Sequence, residues 1–227
     1  TVSPDELSYN RKQAKAVIVK YSYLDGTGRE YVDACLDKLA GKRQLHVYTN
    51  AATVDETFCD AFHELFKPST ALQAEIDVNL AELGDDFVSI TYRFQQLLGD
   101  FQEGGYTVLG ESDRNELISH CLNFVEEVRQ QNPIVKKVLL TSDSRMFLDI
   151  AASKFSYVYT IPGKVYHIDH TSQAGTLPYL KSFVDLFVLS HAQTVYNYSE
   201  GLMYRSSGFA SLAAVIGGKK YKNVHRD

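Results

Sequence analysis

Four polar sets in this 227-residue chain carry residue types suited to holding an anion or moving a proton. Arg93 closes the run VSITYR; its guanidinium is always charged and presents paired, planar donors of the kind a pyrophosphate takes. Thr91, two residues earlier, can hydrogen-bond but cannot carry charge. Ser142 and Asp143 follow the apolar run of KVLLTSDS. Ser206, Ser207 and Gly208 stand where a helix should begin, and the unpaired N–H groups and dipole of a helix start favour phosphate. The remaining set is the loop around His167 and Asp169; His167, Asp169 and His170 form a His-x-Asp-His string that lacks the further ligands of a metal centre, so no metal is expected.

Three more carboxylates bear on the chemistry. Asp185 interrupts the apolar helical run SFVDLFVLS, and a buried carboxylate needs donors. The edge of a guanine would supply two N–H groups, and an ion pair or a capping role would satisfy it equally well. Asp100 and Glu103, in the glycine-punctuated loop LLGDFQEGG, are candidate bases, although loop acids can equally be no more than solvated.

The elements that must position these groups follow from periodicity. Branched and apolar runs predict strands at 16–24, 45–49, 87–94, 138–140, 157–161 and 194–198. Apolar residues at helical spacing predict helices at 29–39, 55–66, 71–83, 113–131 and 145–154, a helix opening near Ser182, and a last one after Ser207. Phe58, Phe62, Leu65 and Phe66 form an aromatic stripe expected in the core. Strands alternating with helices, one of them near-continuously apolar, predict an open, mostly parallel α/β sheet. Ligands of such sheets bind outside the carboxyl ends of the strands, which is where the four sets fall. DGTG at 25–28 follows a strand, but Tyr31 occupies the place of the third glycine of a dinucleotide fingerprint.

Composition bounds the class. The chain is 44% hydrophobic, long enough for one good core or for one domain and part of another. The net charge of −5, with scattered Lys and Arg, argues against nucleic-acid binding. Cys35, Cys59 and Cys121 fit neither a disulfide framework nor a CxxC site. No apolar run approaches the roughly 20 residues that cross a bilayer, and the start does not resemble a secretory signal, so a cytoplasmic protein is expected. The opening TVSPDELSYN has no initiator Met, so upstream sequence is expected too.

SFVDLFVLS followed by YRSSGFASLAA resembles the donor-binding half of GDP-fucose-dependent fucosyltransferases, the inverting GT-B group of α-1,2, α-1,6, nodulation-type and protein O-fucosyltransferases. VSITYR is similar to that family's strand ending in His-x-Arg, and VLLTSDS to its strand ending in a Ser/Thr-Asp pair. PGKVYHID lies between this strand and the Asp-bearing helix, as in the family. The resemblance spans about residues 67–227. It implies a GT-B-like fold, with a partial acceptor-side lobe and hinge helix at 1–86 and a Rossmann-like donor domain at 87–227. It implies GDP-fucose as donor, a glycan acceptor, and polysaccharide biosynthesis as the setting. Arg93 would hold the β-phosphate, Asp185 read the guanine, and Ser206 and Ser207 meet the pyrophosphate at Gly208. Thr91, Ser142 and Asp143 would lie beside the nucleotide, with Asp100 or Glu103 as catalytic base.

The chain departs from the family in carrying Thr91 where His is usual, a longer loop before Gly99 and Asp100, and no GGxGNQ segment. No cofactor beyond the donor is implied, and no DxD pair is present to hold a divalent ion. Two alternatives stay open: a non-catalytic GDP-sugar-binding relative, and a transferase using another nucleotide sugar.

Overall fold

The computed structural model describes residues 14–19, 44–49, 56–101, 107–163, 165, 179–205 and 207–227. The chain divides into two compact units, 1–53 and 54–227. In the first, β1 (Ala14–Val19) and β2 (Gln44–Thr49) pair in parallel, from Ala14 opposite Gln44 to Val19 opposite Thr49. Parallel pairing needs a crossover between the strands. The helix expected at 29–39, residues 20–24 of the first expected strand and the DGTG turn lie outside the described residues.

The second unit runs α1 (Glu56–Leu65), α2 (Thr70–Leu83), β3 (Phe87–Tyr92), α3 (Glu111–Gln131), β4 (Lys137–Ser142), α4 (Arg145–Lys154), β5 (Val158–Thr160), α5 (Leu180–His191), β6 (Thr194–Glu200), α6 (Gly208–Ile216) and β7 (Lys220–Arg226). All five of its strands are parallel, in the order β5-β4-β3-β6-β7. The chain builds outward from β3 through β4 to β5, then crosses to the other side of β3 for β6 and β7. That reversal makes the β3/β6 junction the topological switch point, the place where sheets of this kind bind their ligands.

Local chemistry accounts for the element ends. Ser69 caps α2 by accepting from Leu72 N, and Gly84, at φ +74°, ends it in a conformation that favours glycine. Ser144 caps α4 by accepting from Phe147 N at 3.1 Å.

Strand alternation then sorts the core into two layers. Val88, Ile90, Tyr92, Val138, Leu140, Tyr196 and Tyr198 pack against α3 and α4. Phe87, Leu139 and Val195 pack against α2, α5 and α6 on the opposite face. Both faces of the parallel sheet are thus covered, as its apolar strands require.

α1 and α2 pack on the sheet's second layer: Ile76 and Leu83 of α2 enter its core, Phe62 of α1 packs on Phe187 of α5, and His63 Nε2 lies 2.7 Å from the Ile216 carbonyl oxygen. Two expectations are corrected. The aromatic stripe is only half buried in fact, because α1 ends at its last turn and leaves Leu65 74% and Phe66 59% exposed. Strand β7 was not expected at all. Its signal is the alternation in KYKNVHR after Gly217 and Gly218, muted because an edge strand carries polar residues at most positions.

Candidate functional site

On the face covered by α2, α5 and α6, the sheet is apolar at its lower end and polar toward its carboxyl end. Phe87 gives way to Ser89, Thr91 and Arg93; Leu139 to Thr141 and Asp143; Val195 to Asn197 and Ser199; Tyr221 to Asn223 and His225. The other face stays apolar to the tips of β3 and β6, through Tyr92 and Tyr198. On β3, β4 and β6 this polar layer is buried apart from Arg93, and its donors and acceptors are of the kind that could meet a polar ligand. Thr91 and Thr141 share a hydrogen bond at 3.0 Å, which satisfies both hydroxyls in the interior. Ser89 Oγ and Asn197 Oδ1 are buried with no hydrogen-bond partner among the described residues.

Arg93 lies just beyond β3 with its side chain 25% exposed, its Nε 3.5 Å from Asp143 Oδ2 and its guanidinium over the Phe101 ring at 5.5 Å. The following turn is tight, and Gln95 takes φ +56°, at a steric cost of roughly 1–2 kcal/mol for a side-chain-bearing residue. Asp143 holds this turn from the neighbouring strand, its Oδ1 accepting from Phe94 N at 2.9 Å and its Oδ2 from Gln95 N at 2.7 Å. Burial pushes the Asp143 carboxyl up to about 6, while the Arg93 guanidinium and the N–H groups of Phe94 and Gln95 pull the other way. It is ionised at neutral pH, as its donors require.

Ser142 donates to Asp143 Oδ1 at 3.4 Å and accepts from Ser144 N at 3.0 Å. Asp100 returns from the far end of the same loop: its Oδ2 accepts from Ser144 Oγ at 3.0 Å and from Met146 N at 2.8 Å. That oxygen is engaged at the N-terminus of α4, where a negative charge is favoured, and so ties the 93–101 loop to the 142–146 segment. Glu103 and Ser206 lie outside the described residues, as do His167, Asp169 and His170.

The segment leading into α6 comes to the tips of the same strands. Tyr204 N donates to the Arg93 carbonyl oxygen at 3.2 Å, and the Arg205 carbonyl oxygen accepts from Asn197 Nδ2 and Ser199 Oγ, each at 3.4 Å. These bonds seat the segment leading to Ser207 over the tips of β3 and β6. Ser207 is buried at the N-cap position, yet its side chain makes no capping hydrogen bond. At Gly208 the space that a side chain would fill is open.

Asp185 stands apart from this cluster. It is 3% exposed on α5 and bonded to Lys181 one turn earlier, an ion pair whose two side chains are 8% and 4% exposed. Burial raises its carboxyl to about 6, and Lys181 opposes the rise. No hydrogen bond or ion pair among the described residues joins Asp185 to Arg93 or Asp143.

The residues that sequence reasoning missed are Ser89, Asn197, Ser199 and Lys181. The first three were visible as polar residues at alternate positions of apolar strands. Lys181 was visible as the residue one helical turn before Asp185.

No protein-family model matches this sequence, and no curated protein matches it. Among solved structures, the chain is similar to the crystal structure of NodZ alpha-1,6-fucosyltransferase soaked with GDP-fucose, at 16% identity and a TM-score of 0.52, over 85% of this chain and 59% of that one. For the same protein co-crystallised with GDP, the identity is 16% and the TM-score 0.50, over 82% of this chain and 56% of that one. The chain thus spans less than three fifths of the length of the structures it matches. The shared feature is the fold, an α/β, GT-B-like architecture whose Rossmann-like sheet is the five-stranded unit described above.

Proposed function

We propose that this chain binds GDP-fucose at the β3/β6 switch point and belongs to a fucosyltransferase-like glycosyltransferase. One observation carries the reading: Arg93 and the uncapped start of α6, separated in the chain by α3, β4, α4, β5, α5 and β6, are joined over the switch point by the bond from Tyr204 N to the Arg93 carbonyl oxygen. A guanidinium and a helix N-terminus together are a pyrophosphate site in chemical terms. The fold shared with a fucosyltransferase soaked with GDP-fucose supports the choice of donor.

In the reaction proposed, an acceptor hydroxyl attacks the anomeric carbon of fucose as the bond from that carbon to the β-phosphate oxygen breaks. The electron pair leaves with GDP, and the hydroxyl proton passes to a base. Negative charge grows on the leaving pyrophosphate, so Arg93 and the N–H groups after Ser207 would bind the transition state more strongly than the ground state. Charge balance on the leaving group comes from these groups, and no step calls for a metal. Thr91, Ser142 and Asn197 would line the nucleotide side of the crevice, and Asp185 would read the guanine. Glu103 is the loop carboxylate proposed as base, since Asp100 is engaged at α4.

A second reading, a non-catalytic GDP-sugar-binding protein, is favoured by Thr91 and Asp100. The former is buried against Thr141 where the family has His, and the latter serves as a structural contact.

Calorimetry tests the donor directly. GDP should bind more tightly than UDP or ADP, and Arg93→Ala should weaken GDP at least tenfold, about 1.4 kcal/mol. Equal affinity for the three nucleotides would sink the donor reading, and an unchanged Arg93→Ala affinity would remove Arg93 from the site. Binding of GDP-fucose without turnover in the presence of glycan acceptors would favour the second reading.

A further inference from the structure

Asp143 combines nearly complete burial with four polar partners. Its side chain is 1% exposed. A carboxylate has about four acceptor positions; here Oδ1 accepts from Phe94 N and, at 3.4 Å, from Ser142 Oγ, while Oδ2 accepts from Gln95 N and is ion-paired with Arg93 Nε at 3.5 Å. A nucleotide hydroxyl or N–H group could reach it only by displacing one of these. Three of the four partners are the consecutive residues 93, 94 and 95, and Gln95 is the one non-glycine residue with positive φ among the described residues. The contact that compensates this left-handed turn is therefore the contact that meets Arg93.

We propose that Asp143 is a positioning residue for the anion site, which does not touch the donor but fixes the Arg93 guanidinium and the turn after it from the adjacent strand. The proposal rests on the donor reading above and departs from the expectation that Asp143 lies against the nucleotide. It gives the departure a physical reason, because a bare carboxylate beside a pyrophosphate would repel it, whereas a carboxylate sheathed by four donors leaves the guanidinium to face the ligand. The charged side chains on the segments around it are Arg93, Asp100 and Arg145, the last paired with Asp149 at 2.7 Å. With the carboxyl raised to about 6, protonation at mildly acidic pH changes the partner that the N–H groups of Phe94 and Gln95 meet.

A double-mutant cycle on GDP affinity tests this, using Arg93→Ala, Asp143→Asn and the pair, with guanosine as a probe that lacks phosphate. Asp143→Asn should weaken GDP about tenfold, add less than about twofold on top of Arg93→Ala, and leave guanosine affinity unchanged. Gln95→Gly in the Asp143→Asn background should recover part of the loss, since glycine holds a positive φ without steric cost. The same pair of changes serves if Asp143→Asn alone folds poorly. Multiplicative losses in the cycle, or a loss of guanosine binding with Asp143→Asn, would overturn the proposal. The amide signals of Phe94 and Gln95 give a readout that needs no ligand: they should move with pH near 6 in the wild type and not in Asp143→Asn, and their failure to move overturns the clamp itself. A wild type that binds neither GDP nor guanosine while these signals titrate would overturn the donor reading, and with it the purpose assigned to the clamp.

Discussion

Replacing Asp185 with leucine while keeping Lys181 should cost this chain about 3–5 kcal/mol of stability, because an ammonium in a side chain only 8% exposed loses its counter-charge. The double replacement, Lys181→Met with Asp185→Leu, should return stability to within about 1 kcal/mol of the wild type or above it, since a buried ion pair does little better than an apolar pair of similar volume. The helix contributes almost nothing to this pair. Lysine four residues before an acid is the less favourable order, worth at most about 0.3–0.5 kcal/mol on an exposed face, and Lys181 stands in the first turn of α5, at the positive end of its dipole. At an effective dielectric of 20, unit charges in contact attract by about 4 kcal/mol, so the cycle should report a coupling of about 2–4 kcal/mol. Urea unfolding of the wild type, both single variants and the double variant measures it. The same four proteins then separate stability from recognition: if Asp185 is retained to read a guanine, the double variant should be stable yet lose its preference for GDP over ADP. A coupling below about 1 kcal/mol, the scale of an exposed pair, would refute the energetic reasoning. A stable double variant that still prefers GDP would refute the role in recognition.

Three other outcomes are expected. Gly208→Glu places a carboxylate in open space at the start of α6, where it should gain about 0.3–1 kcal/mol from the helix dipole while weakening GDP at least tenfold; a raised melting temperature with intact GDP affinity would take the phosphate away from α6. A methyl group at Gly217 would stand 1.8 Å from the Ser190 carbonyl oxygen, so Gly217→Ala should cost about 1–3 kcal/mol or more in a thermal melt, and an unchanged melt would contradict the close approach of α6 to α5. Asp143 and Asp185 are raised to about 6 from an ordinary 3.8. The folded chain therefore holds these protons more tightly than the unfolded chain, and their contribution to stability declines as pH rises from about 4 to about 6 and is flat above. Stability across that window should fall less steeply in Asp143→Asn than in the wild type, and equal slopes would contradict the burial that raises the carboxyl.

Elements with a strong period were legible one residue at a time. The runs at 87–94 and 138–140 announced β3 and β4, because the inward side chains of a covered strand must be apolar. The helical spacing of apolar residues over 113–131 likewise announced α3, whose buried row includes Leu117, Cys121, Val125 and Val128. The polar punctuation at Arg93, Asp143 and Ser207 announced the carboxyl end of the sheet. β7 escaped because an edge strand has little apolar signal, and the partners of α1 and α2 were not legible because an amphipathic helix does not declare which surface its apolar face will join.

The sequence by itself determined that this is a parallel α/β chain with anion-binding residue types at its strand ends, since period and residue chemistry are local properties. Even the Lys181–Asp185 pair was within its reach, the two residues being one helical turn apart. Tertiary structure alone decided which of those residues meet. Arg93 and Asp143 come from different strands and touch only because β4 lies beside β3, and α6 begins over Arg93 only because β6 lies on the other side. The order of strands in a sheet is set by the packing of all its helices at once, and Asp143, which the family resemblance placed beside the nucleotide, is thereby brought within 3.5 Å of Arg93.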